Sequence, residues 1–123
     1  MIDFKNGLIL KLKQDRKTHE GLNQLLISGE EVIGSYSAIR DYVAFTNKRI
    51  IVVNVQGVTG KKKDFTSIPY SKIQTFSVET SGVFDLDSEL EVYISSIGRI
   101  KFEFTGSCDI VAIGKIIAEY ALR

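Results

Sequence analysis

The sequence predicts a mainly β fold with one helix: a seven-stranded antiparallel barrel or sandwich, capped by a C-terminal helix and preceded by a helical segment near the N-terminus. Three observations carry that reading. Val, Ile, Phe and Thr recur at nearly alternating positions between Phe45 and Leu90, punctuated by Gly and Asn turns. The connections between these runs are too short for parallel crossovers, which makes an up-and-down antiparallel meander. The chain then closes on an apolar stripe at helical spacing, Ile110, Ile113, Ile117 and Ala121.

Residues 1–19 read as an N-terminal arm, helical or extended, ahead of a single domain over 20–123. The arm is basic, with Lys5, Lys11, Lys13, Arg16 and Lys17 against Asp3 and Asp15. Leu22, Leu25 and Leu26 have helical spacing, and Gly29 is a natural stop, so a short helix is expected over 20–28. After Gly29 the period changes to two. Strands are expected over 31–38, 41–46, 49–56, 62–68, 73–80, 88–95 and 99–104. The last two are the clearest. Leu90, Val92 and Ile94 alternate with polar neighbours, as do Ile100, Phe102 and Phe104, and Gly98 sits in the turn between them. Thr46-Asn47-Lys48 reads as another short connection, with Asn47 able to take a left-handed conformation. Ser107 or Asp109 can cap the closing helix, with Val111, Ile116 and Tyr120 widening its apolar face.

At 123 residues the chain is long enough for one domain with one core. A net charge of +1 argues against a dedicated nucleic-acid binder. The single cysteine, Cys108, has no partner for an internal disulfide, which suits a reducing compartment. No apolar run reaches the roughly 18 residues of a spanning helix, and the N-terminus makes a poor secretory signal. The expected location is the cytoplasm.

The stretches T-N-K-R-I-I-V-V at 46–53, Q-G-V-T-G-K-K at 56–62, S-I-P-Y at 67–70 and F-S-V-E-T-S-G-V-F-D-L-D-S-E-L at 76–90 closely resemble the bacterial pleckstrin-homology domain family, in its short single-domain form. The likeness covers roughly residues 20–122. It implies a pleckstrin-homology-like fold, no enzymatic activity, and cyclic self-assembly, with five-fold rings for single-domain members. It also implies a polar surface for a protein partner where neighbouring protomers meet.

Gly57 to Lys62 invites a phosphate-loop reading, but the glycines are too close together and Lys62 stands where a Ser or Thr should be. A hairpin loop is expected instead. Lys61, Lys62 and Lys63 form a basic cluster, extended in one reading by Lys48 and Arg49. The first hairpin, at 38–41, offers only Arg40 beside Asp41, a weak recipe for inositol phosphates. Asp85, Asp87 and Glu89 alternate and are expected to face water from an extended strand while Leu86 and Leu90 turn inward. Their spacing is not that of an EF-hand. One histidine, His19, and one cysteine provide neither a zinc site nor a convincing nucleophile–base pair.

No catalytic residue, cofactor or metal ligand is therefore expected. The function read from the sequence is a non-enzymatic scaffold that forms a cyclic homo-oligomer, by likeness a pentamer, and binds an unidentified protein. Lys61, Lys62, Lys63, Asp85 and Asp87 are the candidate junction residues. The alternative is a peripheral membrane adaptor that uses basic residues on anionic lipid.

Overall fold

Leu12, Val43, Phe45, Ile50, Val52, Leu90, Val92, Ile100, Phe102, Phe104, Ile113 and Ile117 meet in one buried cluster. It draws on both halves of the chain, and this burial organises the fold. The computed structural model describes Met1 and residues 8–17, 21–106 and 108–123, with 8–10 by their backbone alone. Eight strands run in chain order: β1 (Leu8–Gln14), β2 (Val32–Ser37), β3 (Asp41–Thr46), β4 (Arg49–Gln56), β5 (Lys62–Pro69), β6 (Thr75–Glu79), β7 (Ser88–Ile94) and β8 (Gly98–Phe104). A 3-10 turn at Tyr70–Lys72 separates β5 from β6, and helix α1 (Ile110–Ala121) ends the chain.

The strands form one sheet in the order β5-β4-β3-β2-β1-β8-β7-β6. The expected count of seven is corrected to eight. The added strand is β1, in the arm read as helical or extended; it is extended, and no N-terminal helix precedes the sheet among the described residues. It pairs antiparallel with β2, through Lys13 opposite Ser37, and parallel with β8, through Ile9 opposite Phe102. The purely antiparallel meander is corrected at that one junction. Two distant parts of the chain meet there, so no short crossover is needed. The register shifts between Ile9 and Leu12, and Lys11 takes a positive φ of 59°. Such a bulge bends the strand, which lets β1 serve both halves of the sheet and bury Leu12 in the core.

Strands β3 and β4 are buried on both faces. Val43, Phe45, Ile50 and Val52 face the main core, whereas Tyr42, Ala44, Ile51 and Val53 form a second cluster with Leu22. The segment before β2 covers that outer face. The helix expected over 20–28 is corrected: within the described residues helical geometry occurs only at 21–22, followed by a turn at 23–25. Arg49 takes the Leu25 carbonyl at 2.9 Å, and the Ile27 N–H donates to Glu30 Oε1 at 3.1 Å. These bonds to side chains occupy backbone groups that a longer helix would use internally.

Of the two candidate caps, Asp109 opens helix α1, and its Oδ1 accepts the Ala112 N–H at 3.0 Å. Ile110, Ile113 and Ile117 are buried. Val111 does not widen the packed face: it is half exposed. Asn47 does not use its capacity for a positive φ; its side chain instead accepts the Glu31 N–H at 2.8 Å and donates to the Gly29 carbonyl at 2.9 Å.

Candidate interaction surfaces

The sheet order leaves β5 and β6 as its two edges. Lys62 and Lys63 begin β5, and Lys61 precedes them; all three are exposed. Gly57 and Gly60, with φ of 77° and 69°, turn the chain between β4 and β5, so the expected hairpin replaces any phosphate loop. Asp85 and Asp87 lie in the loop that follows β6, the other edge. The two charged segments thus adjoin different edge strands in the sheet order.

The basic cluster grows differently from the expectation. Arg40 donates from Nε to the Val55 carbonyl at 3.2 Å and from Nη2 to the Gly57 carbonyl at 2.7 Å. The β2–β3 and β4–β5 turns therefore lie side by side, and Arg40 adjoins the lysines. Lys48 and Arg49 sit at the far end of β4, so their membership is corrected. Beside Arg40, a groove is lined by Lys11, Lys13, Ala38, Ile39, Asp41 and Thr105, among others.

Arg49 has another role. Its guanidinium clasps Glu30 at 3.0 Å from Nε and 2.9 Å from Nη2, and reaches Ser67 Oγ at 2.9 Å. Thr46 donates to the same carboxylate at 2.7 Å. Burial pushes the Glu30 pKa up, but the bonds from Arg49, Thr46 and the Ile27 N–H outweigh it and hold the carboxyl below its ordinary value. Tyr70 adds a bond to the Thr46 carbonyl at 2.7 Å. The T-N-K-R stretch is thus a structural clasp that ties the segment before β2 to β3, β4 and β5. The sequence reading missed Glu30, whose only signal was a carboxylate beside a positive-φ glycine turn.

The acidic segment is also corrected. Asp85 and Asp87 are not strand residues: β7 starts at Ser88. The Gly82 N–H bonds the Asp85 carbonyl at 2.7 Å, and the Asp87 N–H bonds Asp85 Oδ1 at 2.9 Å. These contacts turn the backbone and end the period-two pattern. Leu86 consequently points to solvent with Val83 and Phe84, while Leu90 is buried as expected. Glu89 meets Lys101 diagonally across the β7–β8 ladder at 3.8 Å.

Cys108 is half-buried, and burial, with Asp109 beside it, pushes its thiol up to about 11. It is a thiol at neutral pH and a weak nucleophile. His19 lies outside the described residues. Among the described residues, no group of three or more His, Cys, Asp or Glu is placed to hold a metal ion, and no helix is long and apolar enough to cross a membrane.

The family model described as Bacterial PH domain matches residues 3–121. The chain belongs to the bacterial PH domain family. An uncharacterized protein of Bacillus subtilis (strain 168), YjqA, is 46% identical over 101 residues, covering 80% of this chain and 81% of that protein. Among solved structures, a DUF1696 family protein with a pleckstrin-homology domain from Shewanella loihica is 37% identical, with a TM-score of 0.77 over 90% of this chain and 97% of that one. A pleckstrin homology domain from Shewanella amazonensis is 44% identical, with a TM-score of 0.65 over 87% of each chain. None of these descriptions names an enzymatic family. The match from residue 3 includes β1, consistent with that strand's place inside the bacterial PH sheet.

Proposed function

We propose that this bacterial PH domain is a non-enzymatic cytoplasmic scaffold that assembles into a cyclic homo-oligomer, a ring of five, and offers polar surface to another protein. The observation that carries the reading is a basic segment at the start of one edge strand and an acidic loop that follows the other. Lys61, Lys62 and Lys63 stand at the start of β5, and Asp85 and Asp87 follow β6. A cyclic assembly needs two different, complementary patches on each subunit, and opposite edges of one open sheet meet that requirement. Edge strands left without a partner are also templates for pairing with another chain.

Light scattering after gel filtration tests this reading. A closed oligomer at micromolar concentration is the expected result, with partial dissociation when Lys61, Lys62 and Lys63 are replaced by Glu. A wild-type monomer would overturn it.

The membrane-adaptor reading has one observation in its favour. Ile39 and Val58 stand fully exposed at the tips of the two adjacent turns, beside Arg40 and the three lysines. Co-sedimentation with anionic vesicles at low and high salt separates it from the scaffold.

A further inference from the structure

The loop between β6 and β7 holds three large apolar side chains turned mostly to solvent: Phe84 is 101% exposed, Val83 87% and Leu86 63%. Exposed apolar residues scattered singly need no explanation, but three within four positions of one loop do. Asp85 lies between them and Asp87 follows. That charge is wrong for an anionic bilayer and calls for a recipient that is both apolar and cationic.

The molecule carries such a surface. The groove beside the β2–β3 turn has Lys11, Lys13 and Arg40 along its lining against a single carboxylate, Asp41. Three cations against one carboxylate leave the lining net positive, and Asp41 Oδ1 is held by a bond from Asn54 at 2.5 Å. Ile39, 99% exposed, forms an apolar lip. The lysine stems extend that apolar wall while their ammonium groups stay in water.

Resting on the self-assembly reading, we propose that Val83, Phe84 and Leu86 dock into the Lys11–Lys13–Ile39–Arg40 groove of a second copy of this chain. Asp85 and Asp87 set the orientation by facing the groove's cations. Loop and groove share one end of the protomer, because Ser88 pairs with Phe104 and the groove's Thr105 follows directly. Yet Phe84 is fully exposed and does not occupy its own groove. Loop on groove is a contact between unlike patches, the type that a cyclic assembly uses. The apolar tip supplies affinity, and the charges supply register and salt dependence.

The test mixes two single variants, Phe84→Cys and Ile39→Cys, each also carrying Cys108→Ser, under mild oxidation. A band of doubled mass is expected in the mixture and not with either variant alone. In parallel, Phe84→Ser with Leu86→Ser should weaken self-association by about tenfold or more while the far-UV circular dichroism of the folded protomer is unchanged, since Phe84 is fully and Leu86 mostly exposed. If wild type assembles but the mixture does not cross-link and the serine variant assembles normally, the loop contact is wrong and the assembly stands. A wild-type monomer at micromolar concentration overturns both. Binding to phosphatidylglycerol vesicles that is lost in the serine variant would make a bilayer the occupant, and would also overturn the proposal.

Discussion

Gly114 stands over Val78 with no room for a side chain: a Cβ built on it would lie 2.9 Å from Val78 Cγ1. This contact seats α1 on edge strand β6. Val78 is β-branched and stiff at χ1, so it does not yield easily. Gly114→Ala is expected to destabilise the domain by about 1–3 kcal/mol through overpacking, against a gain of roughly 1 kcal/mol in helix propensity. The check is a double-mutant cycle. Adding Gly114→Ala to Val78→Ala should be neutral or stabilising, because the clash is gone.

The Glu30–Arg49 clasp predicts an asymmetric mutational response. Glu30 has a side chain with no exposure, whereas that of Arg49 is 22% exposed. Arg49→Ala leaves a buried carboxylate without its cation and should cost about 3–5 kcal/mol. Glu30→Gln keeps the shape and releases a more exposed guanidinium to water, so it should cost less. Urea denaturation of the two variants measures the difference, and equal losses would contradict the burial argument.

The same carboxyl sets an acid limit on stability. Its pKa in the folded state is held below the ordinary value, so the unfolded chain binds the proton more readily. The stabilisation is complete above the ordinary carboxylate range, near pH 4.5, and is lost as pH falls through the depressed folded value. Melting temperature against pH should fall more steeply on the acid side for wild type than for Glu30→Gln. Identical acid limbs would exclude Glu30 as a contributor.

Phe102 is fully buried on β8 between both halves of the sheet. Phe102→Ala should cost about 3–5 kcal/mol by transfer and cavity formation. An unchanged melting temperature would contradict its place in the core.

Local pattern determined much of this fold. Alternation in 88–94 and 98–104 reflects one face of each strand meeting the core, so Leu90, Val92, Ile94, Ile100, Phe102 and Phe104 were readable as core residues. The helix 110–121 was readable from its stripe and from Asp109. Pattern becomes uninformative where its cause is not local. β1 holds its place through a parallel pairing with β8, about ninety positions later, and no short-range signal encodes that partner. Leu86 continues the alternation of β7 in sequence, yet the Asp85 turn leaves it in water. Arg49 read as one more cation of a basic cluster until the tertiary structure brought Glu30 to it across nineteen positions. Lys61 to Lys63 and Asp85 with Asp87 were recognisable as charged segments from sequence alone. That one segment opens an edge strand and the other follows the opposite edge strand depended on strand order, which long-range backbone pairing decides and side-chain periodicity does not specify.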